Sequence, residues 1–352
     1  MSKAKGEAAV RHNTSLYRKY RPGVFDEVRG QEHITSVLRA AVESDRLAHA
    51  YLFAGGRGTG KTSTARILAR AVGTSEQDLY EMDAASNRGI DEIRELRDGV
   101  ATLPFASKYK FYIIDEAHAL TPQAWGALLK TLEEPPAHVV FVLATTELDR
   151  VPETIKSRCQ TFTFKKPAHE VLKQLVLDVA KKEGATIAPA GAELIALMGD
   201  GSFRDTLGIL QKVLTISADA SLSEDEVATV VGAPSAGVVN IFLQSLASKD
   251  IEGAIKSFNQ ALTGGVEART FLLLVLTKMR AVLLLRFAPT MKSDLVQQFS
   301  QDDLTKLSAL AATGTALNSQ LLAELITAFI ETNRAPLPQI PLELALYRIF
   351  AL

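Results

Sequence analysis

Eight residues, Gly55-Gly56-Arg57-Gly58-Thr59-Gly60-Lys61-Thr62, carry the plainest chemistry in this chain. They fit G-x-x-x-x-G-K-[ST], the pattern of a loop that cradles phosphates. Glycine tolerates φ > 0 and has no Cβ, so backbone at Gly55, Gly58 and Gly60 can approach an anion closely. The loop's N–H groups then form an anion nest, and the helix that follows adds the positive end of its dipole. In such a loop Lys61 reaches the β- and γ-phosphates of ATP and the Thr62 hydroxyl sits on Mg²⁺. Ser63, the next residue, is a further candidate for nucleotide binding.

A second group of candidates follows an apolar run. Phe111-Tyr112-Ile113-Ile114 leads into Asp115-Glu116. Continuous apolar sequence fits a parallel strand buried on both faces. Ligands of open α/β sheets bind beyond the carboxyl ends of the strands. Asp115 is therefore a partner for Mg²⁺, and Glu116 the group that orients and activates an attacking water. An acidic turn after a core strand is the other reading of the same residues. Val139–Ala144 is another buried strand and ends in Thr145-Thr146. If the two strands are neighbours, a hydroxyl there can meet the attacking water or the γ-phosphate.

These groups need a scaffold, and the surrounding periodicity supplies one. Ala50–Phe53 reads as a buried strand before the loop, and Ser63–Ala71 as a helix after it, with Ile67, Leu68 and Ala71 on one face. Leu79–Asp83 and Thr161–Phe164 are further strands, which makes five. Helices are expected over Gln31–Glu43, with Ile34, Val37, Leu38, Ala41 and Val42 on one face, and over Gly89–Val100, rich in opposite charges. Thr121 can cap a helix that has Pro122 at its first position. Trp125, Leu128, Leu129 and Leu132 follow at helical spacing, and Pro135-Pro136 stops the run. That stripe reads as core or as partner surface, with Trp125 the residue expected to face outward. Beyond Lys165-Lys166-Pro167 the alternation ceases. Residues 168–230 read as helices only, and 234–352 as further helices.

Length and composition fit this picture. A chain of 352 residues suggests two or three domains. Its 47% apolar and 22% charged content is that of a globular protein. No apolar run of about 18 residues occurs, so no membrane span is expected. Residues 1–15 read as a disordered tail without the apolar core of a secretory signal. The single cysteine, Cys159, excludes an internal disulfide and a multi-cysteine zinc site, and a cytoplasmic location is the simple inference. A net charge of −1 does not advertise nucleic-acid binding, although local patterning can still provide it. The basic stretch Arg18, Lys19, Arg21 and Arg29 reads equally well as a solvated segment.

Several stretches together resemble a known family: Gly55–Thr62, Asp83-Ala84-Ala85-Ser86-Asn87, Asp115-Glu116-Ala117-His118, Leu128–Pro136, Leu143–Thr146, Ser157-Arg158-Cys159 and Gly201-Ser202-Phe203-Arg204-Asp205. So do Tyr17–Pro22 and Gly30–His33. The chain is similar to the gamma/tau subunits of bacterial DNA polymerase III, the ATPases of the sliding-clamp loader in the AAA+ superfamily. The likeness is specific over the first 210 residues and weak in the last third. It implies a P-loop AAA+ domain with a five-stranded parallel sheet (16–165), a small helical lid (166–230) and an all-helical oligomerisation collar (234–352).

The resemblance also implies roles. Lys61 and Thr62 would hold phosphates and Mg²⁺ with Asp115 assisting, Glu116 would be the catalytic base, and Thr146 the sensor-1 residue. Arg204 would be the sensor-2 arginine of the lid. Arg158 would be an arginine finger on a neighbouring subunit's ATP; standing alone it reads as a surface ion pair. Implied partners are delta- and delta-prime-type subunits, further copies of the chain, the sliding clamp and primer–template DNA, with no membrane. Arg88, Arg94 and Arg97 are candidate DNA contacts, although intrahelical salt bridges explain the last two equally well. The helix from Pro122 to Glu134 is a candidate clamp contact.

Two departures follow from the comparison with the family pattern. Members usually carry a cysteine-bearing zinc module where only Gly73–Asp78 stands here, so zinc is not expected. The chain ends after the third domain, so the polymerase- and helicase-binding tail of tau is expected to be absent. A DEAH-type helicase, prompted by Asp115–His118, would need a second α/β domain. A non-catalytic structural subunit of a clamp loader is at odds with the intact Lys61, Asp115 and Glu116. A clamp loader of archaeal or eukaryotic type is at odds with Asp83–Asn87 and Leu128–Pro136.

Overall fold

A computed structural model of the chain describes residues 14–87, 89–216, 221–291, 295 and 298–350. The tail expected over residues 1–15 lies outside them except for 14 and 15, and Arg88 lies outside them too. The chain forms two compact units, Met1–Leu172 with Gly199–Gly208, and Lys173–Met198 with Ile209–Leu352.

The first unit is built on five strands: β1 (Ala50–Gly55), β2 (Leu79–Asp83), β3 (Lys110–Asp115), β4 (Val139–Thr145) and β5 (Gln160–Phe164). All are parallel, in the order β2-β3-β4-β1-β5. β4 is buried throughout, and β1 and β3 at all but their last residue; that is why they read as unbroken apolar runs. The two edge strands are partly exposed. Helices α1 (Leu16–Lys19), α2 (Glu32–Glu43), α3 (Lys61–Ala71), α4 (Ile90–Val100), α5 (Pro122–Glu133) and α6 (Glu153–Lys156) complete the unit. Alternate strand residues serve opposite faces. Tyr51, Phe53, Phe111 and Ile113 pack with Ile34, Leu38, Ile67 and Leu68. Leu52, Tyr112, Ile114 and Phe141 pack with Ile93, Trp125, Leu128 and Leu132.

Three local expectations need correction. Trp125 does not face outward. It is 6% exposed and packs against the sheet, because α5 turns Ala124, Trp125, Leu128, Thr131 and Leu132 inward as one stripe. Val37 leaves the core face of α2 and is exposed, its place in the stripe taken by Thr35. Residues 168–230 are not all helical, since β6 (Thr186–Ile187) pairs with β7 (Ser221–Leu222).

Where the zinc module was expected to be missing, Gly73–Asp78 forms a short connection from α3 to β2. Gly73 (φ 78°) ends the helix, and Asp78 is fully buried. The Asp78 carboxylate accepts hydrogen bonds from the Phe105 amide (2.6 Å), the Ala106 amide (2.9 Å) and the Ser75 hydroxyl (3.1 Å). It pins the loop that leads into β3. Burial works to raise this carboxyl, but those bonds and one to Ser107 outweigh it and bring its pKa down to about 2.

Among its described residues the second unit is helical apart from β6 and β7. Helices α7 (His169–Lys182) and α9 (Phe203–Ile216) contribute to both units, and α8 (Pro189–Met198) and α10 (Glu224–Val231) belong to the second. α10 begins with a capping box of Ser223 and Glu226. Six longer helices follow: α11 (Ala236–Ala247), α12 (Ile251–Thr263), α13 (Ala268–Phe287), α14 (Gln301–Thr313), α15 (Ser319–Thr332) and α16 (Ile340–Phe350). Their core centres on Phe242, Phe258 and Phe271, whose rings meet with centroids 5.1 Å apart. Among the described residues no single helix is long and apolar enough to cross a membrane.

Candidate nucleotide site

The parallel register brings the site residues to one edge of the sheet. Gly55 pairs with Phe164, Ala54 with Thr145, Ile114 with Leu143 and Asp83 with Asp115, so all five strands end together. The phosphate loop leaves β1 at this edge. Gly58 has φ 69°, and a Cβ there would lie 2.0 Å from Ser202 Oγ; the Gly58 carbonyl also accepts from the Phe203 amide at 3.0 Å. Gly55 is confined as tightly, since a Cβ would lie 2.6 Å from the Phe164 carbonyl oxygen. Gly60 (φ 105°) caps α3 with open space around it. The loop thus keeps bare backbone where a phosphate chain needs close approach.

Lys61 is 6% exposed, and its ammonium donates to the carbonyls of Gly55 and Gly56, both at 2.8 Å. Burial depresses its pKa, Glu116 and Asp115 oppose that, and the Arg204 cation adds to the depression. A buried cation resting on its own loop, with glycine backbone around it, fits a polyanion. Thr62 Oγ1 donates to Asp115 Oδ2 at 2.6 Å, and Asp115 Oδ1 accepts the Glu116 amide at 3.0 Å. A hydroxyl and a carboxylate in contact are the hard oxygen donors that Mg²⁺ prefers. Ser63 lies half-buried in the first turn of α3.

Glu116 stands in the left-handed region (φ 49°, ψ 41°), uncommon for a side chain larger than glycine or asparagine. The chain turns sharply there into a short helix, Ala117–Ala119, and the carboxylate meets β4. Thr146 Oγ1 donates to Glu116 Oε2 at 3.1 Å. The strands of Asp115 and Thr146 are neighbours, and the Thr146 hydroxyl meets Glu116 itself.

Sequence reasoning assigned no role to His118, which is placed in the same cluster. Its Nδ1 is 3.1 Å from Thr145 Oγ1 and 3.5 Å from Glu116 Oε2, and its Nε2 is 3.3 Å from Glu147 Oε1. Glu147 in turn pairs with Arg150 at 2.9 Å. The only signal was the string Asp-Glu-Ala-His, which fixes spacing and says nothing of what the imidazole reaches.

Of the expected arginines, Arg204 is near enough to act on the charge of Lys61, while Arg158 is held away from the phosphate edge of its own sheet. Arg204 is exposed, with its guanidinium 6.0 Å from the Tyr17 ring centroid. Arg158 precedes β5, whose first residue pairs with Tyr51 while its last pairs with Gly55. Four strand steps, about 13 Å, therefore separate the start of β5 from the phosphate edge of its own sheet. Arg158 is bound instead to Glu133 at 2.8 Å and to the Thr154 carbonyl at 2.7 Å. Arg94 and Arg97 are in local ion pairs with Asp91 and Asp98, both at 3.1 Å.

Comparison with known proteins bears on the family and the fold. Residues 30–89 and 74–168 match the profile described as DNA polymerase III, delta subunit, and residues 222–352 match DNA polymerase III subunits gamma and tau domain III. The tau subunit of Bacillus subtilis is 38% identical over 84% of this chain. The gamma/tau subunit of Mycobacterium tuberculosis H37Rv is 34% identical over 95% of it. The chain belongs to the gamma/tau family of DNA polymerase III subunits.

The chain spans 56% of the length of the Bacillus relative and 62% of the mycobacterial one. Among solved structures, RuvB of Thermotoga maritima, a Holliday junction branch migration motor, is 23% identical, with a TM-score of 0.52 over 70% of this chain and 86% of RuvB. That likeness shows the fold, a domain of five parallel strands with a phosphate-type loop, followed by helices. Among the described residues the gamma/tau chain has no second α/β domain of the kind a DEAH-type helicase needs.

Proposed function

We propose that this gamma/tau chain is the ATP-hydrolysing motor subunit of a bacterial sliding-clamp loader. In this reading it binds ATP, grips and opens the clamp with its partner subunits, accepts primer–template DNA, hydrolyses and releases. The observation that carries the proposal is the convergence of Lys61, Thr62, Asp115, Glu116 and Thr146 at one sheet edge beside a glycine-walled loop.

Lys61 and the loop amides bind the β- and γ-phosphates. Thr62 and Asp115 would hold Mg²⁺, which neutralises charge on the phosphate oxygens when bound. Glu116 orients the attacking water and takes its proton, and Thr146 fixes the carboxylate through Oε2. Arg204 reports nucleotide from within the subunit. Arg158, remote from its own phosphate edge, acts on the ATP of a neighbouring copy, which makes hydrolysis conditional on assembly. Residues 16–165 serve as the ATPase domain, 166–230 as the lid and 234–352 as the oligomerisation collar. DNA contact is mainly to phosphates, so binding weakens steeply with salt.

The test is ATP hydrolysis by the chain assembled with delta- and delta-prime-type subunits, with and without clamp and primed DNA. Strong stimulation by clamp plus primed DNA, abolished by Lys61→Ala and by Glu116→Gln, is expected. Hydrolysis indifferent to clamp and DNA would remove the clamp-loading assignment.

A further inference from the structure

Two side chains, Thr146 and His118, meet Glu116 at the same oxygen. Thr146 Oγ1 donates to Oε2 at 3.1 Å, and His118 Nδ1 is 3.5 Å from Oε2. The imidazole is only 13% exposed and is gripped from the far side as well, with Nε2 3.3 Å from Glu147 Oε1. Thr145 completes the ring of contacts. Its hydroxyl oxygen accepts the Glu147 amide at 3.0 Å and lies 3.1 Å from His118 Nδ1. Glu147 is anchored by Arg150, which is 66% exposed.

The hydrogen-bond inventory has a consistent solution for both ring states. When the ring is neutral with its proton on Nε2, that N–H faces Glu147 and the Thr145 hydroxyl donates to Nδ1. When the ring carries both protons, Nδ1–H faces Thr145 Oγ1 and Glu116 Oε2, and Nε2–H still faces Glu147. Either state ties the imidazole to Thr145 and Glu147, and a proton on Nδ1 adds the bond to Glu116 Oε2.

We propose that His118 is a positioning residue for hydrolysis: with Thr146 it fixes Glu116 through Oε2 and ties the carboxylate, by way of Glu147, to Arg150 at the surface. This rests on the reading of Glu116 as the group that activates water. A carboxylate on a left-handed turn residue has no helix or strand to set its direction, so its geometry depends on such neighbours. The inner contact, at Nδ1, is the one that matters for rate. The outer contact, at Nε2, serves to orient the ring.

Three substitutions separate these contacts. His118→Ala removes both. His118→Asn places an amide near the position of Nδ1, and His118→Gln places one near Nε2. ATP hydrolysis is measured in the assembled complex with clamp and primed DNA, beside binding of a fluorescent ATP analogue and thermal unfolding. The expected result is a fall in kcat of about 10- to 100-fold for His118→Ala. KM, analogue affinity and Tm stay at wild-type values, His118→Asn recovers most of the rate, and His118→Gln does not. Wild-type kcat in His118→Ala would overturn the proposal. So would a rate loss that follows lost nucleotide binding or lowered Tm in the Asn variant, or recovery by Gln alone. Glu116→Gln is run in parallel: if it hydrolyses at the wild-type rate, the assignment of Glu116 fails, and the role of His118 fails with it. If Glu116→Gln is inactive and His118→Ala is unaffected, only the positioning role is lost.

Discussion

Arg158 and Glu133 form an ion pair at 2.8 Å on the surface of the first unit, with side chains 34% and 43% exposed. Exposed pairs of this kind are worth less than about 1 kcal/mol. Glu133 can therefore be exchanged at little cost for a triphosphate, to which a guanidinium binds through two parallel bonds. Replacement of Arg158 by Ala should lower stimulated hydrolysis in the assembled complex by about 10³-fold while leaving ATP affinity intact. Lysine lacks the planar fork, so Arg158→Lys should recover little. Glu133→Gln should leave the rate at or above wild type. Full activity in the Arg158→Ala assembly would show that the pair with Glu133 is all that the residue does.

Gly58 is enclosed more tightly than the motif alone implies. Its φ of 69° strains any side chain, and a Cβ would collide with Ser202 Oγ at 2.0 Å and Ser202 Cβ at 2.9 Å. Gly58→Ala should weaken ATP-analogue binding by about tenfold or more, from backbone strain of about 1–3 kcal/mol and displacement of the Ser202 segment. Ser202→Gly in the same chain should recover part of the loss by removing the collision but not the strain. Equilibrium titration with the analogue measures both steps. Unaltered affinity in Gly58→Ala would mean that the loop tolerates a different path.

Much of this was legible in the sequence because the relevant signals are local. The glycine spacing declares the phosphate loop. The apolar runs of β1, β3 and β4 declare buried parallel strands, and their carboxyl ends declare the site edge. Thr121 caps α5 through the Ala124 amide as its position before Pro122 implies. What was not legible depends on register and on partners distant in sequence. Trp125 goes inward because the stripe of α5 meets Ile114 and Leu143, which no helical count reveals. The contact of His118 with Glu147 depends on the pairing of β3 with β4. Arg66 and Glu81, 2.7 Å apart, join α3 to β2 for the same reason. The pairing of β6 with β7 joins two-residue segments too short to carry any periodicity.

Asp78 gives the first unit a defined acid sensitivity. Its carboxyl has a folded pKa of about 2 against an ordinary 3.8. A depressed carboxylate stabilises the fold above its unfolded pKa, and that contribution is lost as pH falls from about 4 towards 2. Asp78→Asn should cost about 2 kcal/mol at neutral pH through loss of charge-assisted bonds to the Phe105 and Ala106 amides. The difference between wild type and variant should shrink between pH 4 and 2, because the wild-type carboxyl is then protonated too. Denaturant unfolding at a series of pH values checks this. A difference that stays constant down to pH 2 would contradict it.

The second unit contains a buried charge pair whose removal should behave asymmetrically. Lys278 Nζ lies 2.7 Å from Asp303 Oδ2 and 2.9 Å from Asn240 Oδ1, and the Asn240 amide donates to Asp303 Oδ1 at 2.7 Å. Lys278 and Asp303 are 6% and 3% exposed. Burial depresses the pKa of Lys278 while Asp303 opposes it, and burial followed by the Asp303 charge raises that of Glu224 on α10. The network thus links α10, α11, α13 and α14. Asp303→Ala strands a buried cation and should cost about 3–5 kcal/mol. Replacing both partners, Lys278→Met with Asp303→Leu, removes both desolvation penalties and should restore most of that loss. Chemical denaturation of the full chain with each variant measures the stability terms. A double variant as unstable as Asp303→Ala would mean that the hydrogen bonds of Asn240, and not the charge pair, hold these helices together.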